Sequence, residues 1–176
     1  CNFDHAIENL VDGSYFNSGQ SCCGIERIYV DESIFDNFVE AFKTQAEKYI
    51  LDNPLDKLTN LGPVVKLSAA NNIRNQVLKA INEGAKNIID GSKFKKDSLE
   101  NCYVSPSALI NVSHDMEFMM EETFGPTVGI MKVKNEKDAE VLMNDSAYGL
   151  TASVWTSDKE FAANFGNKIQ TGTFFM

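Results

Sequence analysis

Apolar residues recur along this chain in two periods that take turns. At helical spacing, residues 3–14 place Phe3, Ile7, Leu10 and Val11 on one face, and residues 34–50 do the same with Phe35, Phe38, Val39, Phe42, Ala46 and Ile50. Further helices are predicted over residues 67–83, 136–144 and 159–169, the third helix ending at Gly84 and the last capped by Asp158. Asp31 or Ser33 is positioned to cap the second. Between these stretches lie short runs that read as strands: residues 25–30, 87–90, 103–110, 127–133, 151–156 and 172–176. Pro106, inside the third run, predicts a sheet edge or an interruption. Strands that alternate with helices demand crossover connections. The expected fold is therefore α/β, with an open, largely parallel sheet flanked by helices.

The stretch between the first helix and the first strand, Phe16-Asn17-Ser18-Gly19-Gln20-Ser21-Cys22-Cys23-Gly24, is the best place for chemistry. A thiol in a Gly-bounded turn is exposed on a rigid support. Free backbone N–H groups there favour the thiolate and can hold a developing oxyanion. A bare cysteine is more often a small buried hydrophobe, so the surrounding small residues carry the reading. The four cysteines, Cys1, Cys22, Cys23 and Cys102, form no Cys-x-x-Cys pair, which removes zinc ribbons and thioredoxin motifs. A formal net charge of −9 argues against nucleic acid or an anionic membrane as the main partner. No apolar run approaches the roughly 20 residues of a membrane span, and the N-terminal residues lack a basic signal-peptide region. Reduced thiols fit a cytoplasmic setting.

Phe-Asn-Ser-Gly-Gln-Ser-Cys resembles the active-site signature of the aldehyde dehydrogenase family. A second match, Glu121-Glu122-Thr123-Phe124-Gly125-Pro126, resembles that family's Glu-Glu-x-Phe-Gly-Pro box, at about the family's distance from the thiol. Asn144 to Leu150 and Gly172-Thr173 resemble its later landmarks. The resemblance implies Cys22 as the nucleophile, Glu122 on the nicotinamide ribose, Phe124 beside the nicotinamide, and no metal. It implies NAD or NADP as cofactor, a small-molecule aldehyde as substrate, and a homodimer or homotetramer. The reaction implied is oxidation of an aldehyde to a carboxylate through a cysteine thiohemiacetal and thioester. The alternatives are a CoA-acylating or phosphorylating enzyme, or a structural relative without chemistry.

Neither a G-x-G-x-x-G nor a Walker loop occurs. By resemblance, residues 1–176 are expected to be a thiol-bearing catalytic domain truncated at both ends, without the dinucleotide-binding domain. The family's general-base Glu and its second oxyanion donor, an Asn, are expected upstream. The chain alone is expected to be inactive. A Cys-His hydrolase is the rival from another class, with His5 and His114 as its candidate bases. Cys22 and the Glu122–Phe124 box are expected to face one cleft outside the carboxyl ends of the strands, as ligands do in open α/β sheets.

Overall fold

The computed structural model describes all residues, 1–176. Its main sheet has four strands: β1 (Arg27–Asp31), β2 (Lys86–Asn87), β3 (Ser107–Ile110) and β4 (Thr127–Val133), in the order β1-β4-β3-β2. β1 and β3 both run parallel to β4, and the two-residue β2 is antiparallel to β3. A separate parallel pair, β5 (Thr151–Ser153) with β6 (Thr173–Phe175), stands apart from this sheet instead of extending it. The fold is α/β, its sheet mixed but largely parallel and flanked by helices.

The helices are α1 (Phe3–Tyr15), α2 (Phe35–Ala46), α3 (Leu67–Asn82), α4 (Glu117–Met120), α5 (Glu136–Asn144) and α6 (Lys159–Gly166). Strand alternation divides the interior between two faces. Ile28, Val30, Ala108, Val128 and Ile130 join the larger core under α1 and α2, with Leu10, Phe38 and Phe42. Leu109 turns the other way, into a smaller core with Ala80, Phe118 and Met119 from α3 and α4. Gly129 on β4 leaves room for that layer, because a Cβ there would stand 2.2 Å from Met119 Sδ. At about 25 cal/mol per Å² of apolar surface, burial on both faces is the main force holding the three layers together.

Several elements end where local chemistry dictates. Asn2 caps α1 by accepting from His5 N–H, Asn135 caps α5 by accepting from Lys137 and Asp138, and Asp158 caps α6 by accepting from Phe161. Gly84 follows α3 at φ +112°, open to glycine and costly to other residues. Three expectations change or narrow. The Asp31 carboxylate bonds Ser33 within a local turn, so α2 starts after Ile34 with no side-chain cap. Of the two readings of Pro106, the interruption holds and the edge does not: the run expected over 103–110 becomes a strand only at Ser107, as β3, and that strand is interior, between β4 and β2. The second helix also stops at Ala46, short of residue 50.

Tyr15, the last residue of α1, fixes the approach to the thiol turn. Its side chain is fully buried, its ring meets Phe42 and Tyr49 edge-on, and its hydroxyl donates to the Ser107 carbonyl at 3.2 Å. Burial raises its pKa well above the usual tyrosine value, so the phenol stays a donor.

Candidate active site

Cys22 and Phe124 are brought together by register. β1 and β4 are adjacent and parallel, with Arg27 opposite Gly129. Cys22 lies five residues before Arg27, and Phe124 five before Gly129, so both entering segments reach the same level at the same end of the sheet. That end is the amino end of the strands. The carboxyl-end expectation is thus reversed, while Cys22 and Glu122 do share a cleft, which Phe124 does not line. Cys22, Cys23, Glu121 and Glu122 all line one cavity of about 800 Å³, which also runs between β1 and β5.

The thiol turn is a run of left-handed residues: Asn17 at φ +51°, Ser18 at +57° and Gly19 at +72°. Such a run is strained for non-glycine residues and needs external support. Side chains supply it. Ser18 Oγ donates to the Gly62 carbonyl at 2.7 Å. Gln20 Nε2 donates to the Asn17 and Pro63 carbonyls at 3.0 and 3.4 Å, while its Oε1 accepts from Val65 N–H at 2.8 Å. Gln20 uses both ends of its amide, which a carboxylate could not do. Gly19 lies directly on the second motif: a Cβ there would stand 1.8 Å from the Gly125 carbonyl oxygen. Gly125 is pressed from its other side by Ile73 of α3, whose Cδ1 would be 2.5 Å from a Cβ. The two motifs therefore meet backbone to backbone.

Around the sulfur, the backbone donors of Gln20, Ser21 and Gly24 go to carbonyls, and that of Cys23 goes to Ser21 Oγ at 3.3 Å. Cys22 N–H has no acceptor within the chain. The Cys22 thiol is exposed, with its sulfur 4.0 Å from that of Cys23. Contact with Cys22 pushes the Cys23 thiol up, so Cys23 holds its proton more tightly than a free cysteine. Cys102 is half-buried elsewhere, beside Val64 and Val104.

The glutamate box is held by two side chains: Glu26, which sequence reasoning missed, and Tyr148, which lies in the Asn144–Leu150 landmark with no role assigned to it there. Glu26 accepts from Thr123 N–H at 2.8 Å and Phe124 N–H at 2.9 Å. Tyr148 donates to Glu121 Oε2 at 3.1 Å and accepts from Glu122 N–H at 3.4 Å. One signal could have revealed Glu26. It shares the parity of Ile28 and Val30, both buried, and a carboxylate on a strand's inner face requires donors. Glu121 is occupied by Tyr148, whereas the Glu122 carboxylate has no partner in the chain. Phe124, at φ +54°, leaves its side chain partly exposed. An unpaired carboxylate and an open aromatic face suit a ligand that carries vicinal hydroxyls and a planar ring.

Neither histidine serves the thiol. His5 bonds Asn9, and His114 is fixed between Tyr29 OH at 2.8 Å and Asp145 Oδ2 at 2.7 Å. His114 is also nearly buried. No cluster of His, Cys, Asp and Glu has the makings of a metal site. No helix is long and apolar enough to cross a membrane.

Known proteins resemble this chain over nearly its whole length. The model of the Aldehyde dehydrogenase family matches residues 1–176. The 3-sulfolactaldehyde dehydrogenase of Priestia aryabhattai is 35% identical over 169 residues, covering 96% of this chain and 34% of that protein. Mouse aldehyde dehydrogenase, cytosolic 1, is 36% identical over 96% of this chain and 33% of its own length. The chain thus spans about a third of the relatives it matches. Betaine aldehyde dehydrogenase from Staphylococcus aureus, solved in complex with NAD+, superposes with a TM-score of 0.92 at 33% identity, over 99% of this chain and 35% of that one. The NADP-dependent glyceraldehyde-3-phosphate dehydrogenase of Bacillus halodurans, complexed with NADP, gives 0.91 at 30% identity over 99% and 35%. With the family match running the whole length, the two motifs meeting at one cavity, and relatives above 30% identity, this chain belongs to the aldehyde dehydrogenase family.

Proposed function

We propose that these residues form the thiol-bearing catalytic part of an NAD(P)-dependent aldehyde dehydrogenase that converts an aldehyde to a carboxylate. One observation carries the reading: an exposed Cys22 thiol with a free backbone N–H shares a cavity with the unpartnered Glu122 carboxylate. Cys22, as thiolate, attacks the aldehyde carbon to form a thiohemiacetal, and its N–H donates to the oxyanion that develops. A bound NAD or NADP would supply the hydride acceptor for the thiohemiacetal carbon. Glu122 would hold the ribose hydroxyls and Phe124 would pack beside the nicotinamide. The thioester left on Cys22 is then hydrolysed, which regenerates the thiol. Without a Gly-rich dinucleotide fingerprint or a general base beside Cys22, these 176 residues alone do not sustain turnover. The complete enzyme is read as cytoplasmic and homo-oligomeric.

The test uses the protein at its natural length. Cys22→Ala should abolish NAD(P)H formation across an aldehyde panel, and iodoacetamide should label Cys22 before Cys102. Glu122→Gln should slow pre-steady-state cofactor reduction about a hundredfold, the typical cost of ~1 Å misplacement, with a smaller loss of affinity. Undiminished turnover in Cys22→Ala would reject the thiol's role, and an unchanged reduction rate in Glu122→Gln would reject the carboxylate's.

A further inference from the structure

Four residues beyond Cys22, Glu26 holds the glutamate box with side chain and main chain together. Its two carboxylate oxygens take the N–H groups of Thr123 and Phe124 at 2.8 and 2.9 Å, and its carbonyl accepts Gly129 N–H at 2.9 Å. Phe124 needs such a hold. At φ +54° it sits in the left-handed region, an outlier for an aromatic residue, which persists only where its surroundings over-determine it. Two successive N–H groups bound to one carboxylate resist any change of the chain's direction at Phe124. A neutral side chain of the same length offers a single acceptor oxygen.

From this geometry we infer that Glu26 is a positioning residue, a bidentate anchor that locks the Phe124 turn and so sets where Glu122 and the Phe124 ring stand relative to Cys22. The inference rests on the proposed dehydrogenase function, since it is cofactor placement that the anchor serves. Its logic is economical: the strand that carries the nucleophile's turn also carries the group that fixes the cofactor-facing turn. The two halves of the site therefore cannot move apart without breaking a charge-assisted pair of hydrogen bonds. Burial, with the Glu122 charge nearby, pushes the Glu26 carboxyl up, against the pull of the two N–H groups and Arg27. An acidic side chain is kept here despite its burial.

Glu26→Gln in the protein at its natural length tests this. Glutamine keeps the shape but points an NH₂ at one of the two N–H donors. Amide exchange in peptides covering residues 121–125, measured without cofactor, should accelerate about tenfold, the effect of one lost charged hydrogen bond. KM for NAD(P) should rise about tenfold and kcat should fall, while Cys22 alkylation stays within about twofold of wild type, because the thiol turn keeps its Gly62, Pro63 and Val65 contacts. Glu26→Ala should give a larger loss of the same kind; if it does not fold, the Gln variant decides alone. An active wild type beside a Glu26→Gln protein with unchanged exchange and KM overturns the inference and leaves the dehydrogenase reading intact. Exchange that accelerates equally over the whole chain, with KM unchanged, also overturns it, in favour of a merely structural Glu26. A wild type that neither binds NAD(P) nor oxidises any aldehyde overturns both.

Discussion

Gly19→Ala should damage this protein far more than any other Gly→Ala exchange in a turn, and the structure separates the reasons. At Gly84, φ is +112° and nothing lies within 4 Å of a built Cβ, so alanine there suffers from backbone conformation alone, about 1–2 kcal/mol. At Gly91 neither problem exists, and alanine should be neutral or slightly stabilising, by up to about 1 kcal/mol. Gly19 has φ +72° and a backbone oxygen 1.8 Å from the new methyl. Ordinary carbon–oxygen contact needs roughly 1.5 Å more, and no rotamer can yield it because the obstacle is the Gly125 main chain, held between Gly19 and Ile73. The thiol turn must lift off the glutamate box. Overpacking of this kind costs about 1–3 kcal/mol beyond the conformational term, or about 2–5 kcal/mol in all. Displacement by more than ~1 Å should also cut cofactor reduction at least a hundredfold. Urea unfolding of the three alanine variants, with stopped-flow NAD(P)H formation in the full-length enzyme, gives the measurement. If Gly19→Ala unfolds at the same urea concentration as Gly84→Ala and turns over normally, the backbone contact between the motifs is not what assembles the site.

Arg74 ties together the loop before β3: its guanidinium donates to Asp97 Oδ1 at 2.8 Å and to the carbonyls of Ser98, Asn101 and Tyr103 at 2.8, 3.3 and 2.8 Å. Arg74→Ala strands these acceptors in a largely buried setting and should cost about 2–4 kcal/mol by urea unfolding; a loss below about 0.5 kcal/mol would refute the assignment. Acid should destabilise through Asp31, Asp52 and Asp90, whose carboxyls are lowered by the Ser33 side chain, by Asn53 N–H and by the Ser92 side chain respectively. Their contribution is fully present above the unfolded carboxylate value near 4 and is lost as pH falls through the lower folded values. Glu26 has the opposite sign: its raised pKa favours the folded state at acid pH and loses that contribution as pH rises through the folded value. Urea midpoints between pH 7 and pH 2 should therefore fall overall in wild type, and fall more steeply in Glu26→Gln; a midpoint that rises throughout as pH drops would refute the balance.

Much of the fold is legible where one local signal suffices. β4 over Thr127–Val133 and α5 over Glu136–Asn144 match their predicted bounds, the first as a strand-type run and the second as a stretch of helical period. The elements that are not legible depend on distant partners. α4 is four residues long, too short to show a period, and exists because Phe118 and Met119 fill the space over Gly129. Tyr15 falls just past the predicted end of the first helix, yet it closes α1 and its hydroxyl reaches Ser107 across 92 positions. The site divides in the same way. Cys22, Glu122 and Phe124 stand out through two short motifs; Tyr148 lies in the later Asn144–Leu150 landmark without any sign there that it reaches the second motif, and Glu26, which also holds that motif, belongs to none. Glu26 acts across 97 and 98 residues of sequence, and only the parallel pairing of β1 with β4 makes that separation short.

That pairing also explains why the site lies at the amino ends of the strands. In an open parallel sheet, ligands ordinarily gather where helices begin, beyond the carboxyl ends. Here each reactive segment is the connection that enters a strand, one after α1 and the other after α4. Such a connection is anchored behind by its helix and ahead by its strand, so neither segment can swing as a free loop. Parallel ladder bonds from Arg27 onward fix the relative height of Cys22 and Phe124, the Gly19–Gly125 contact fixes their separation, and the Glu26 carboxylate fixes the turn at Phe124. Three constraints from three kinds of interaction bear on one pair of turns. The site should consequently be formed before any ligand arrives, with the strain at Asn17, Ser18 and Phe124 already met by protein contacts. Binding energy need not be spent on building the site, which, on the function proposed above, leaves more of it for orienting the aldehyde carbon between the Cys22 sulfur and the hydride acceptor.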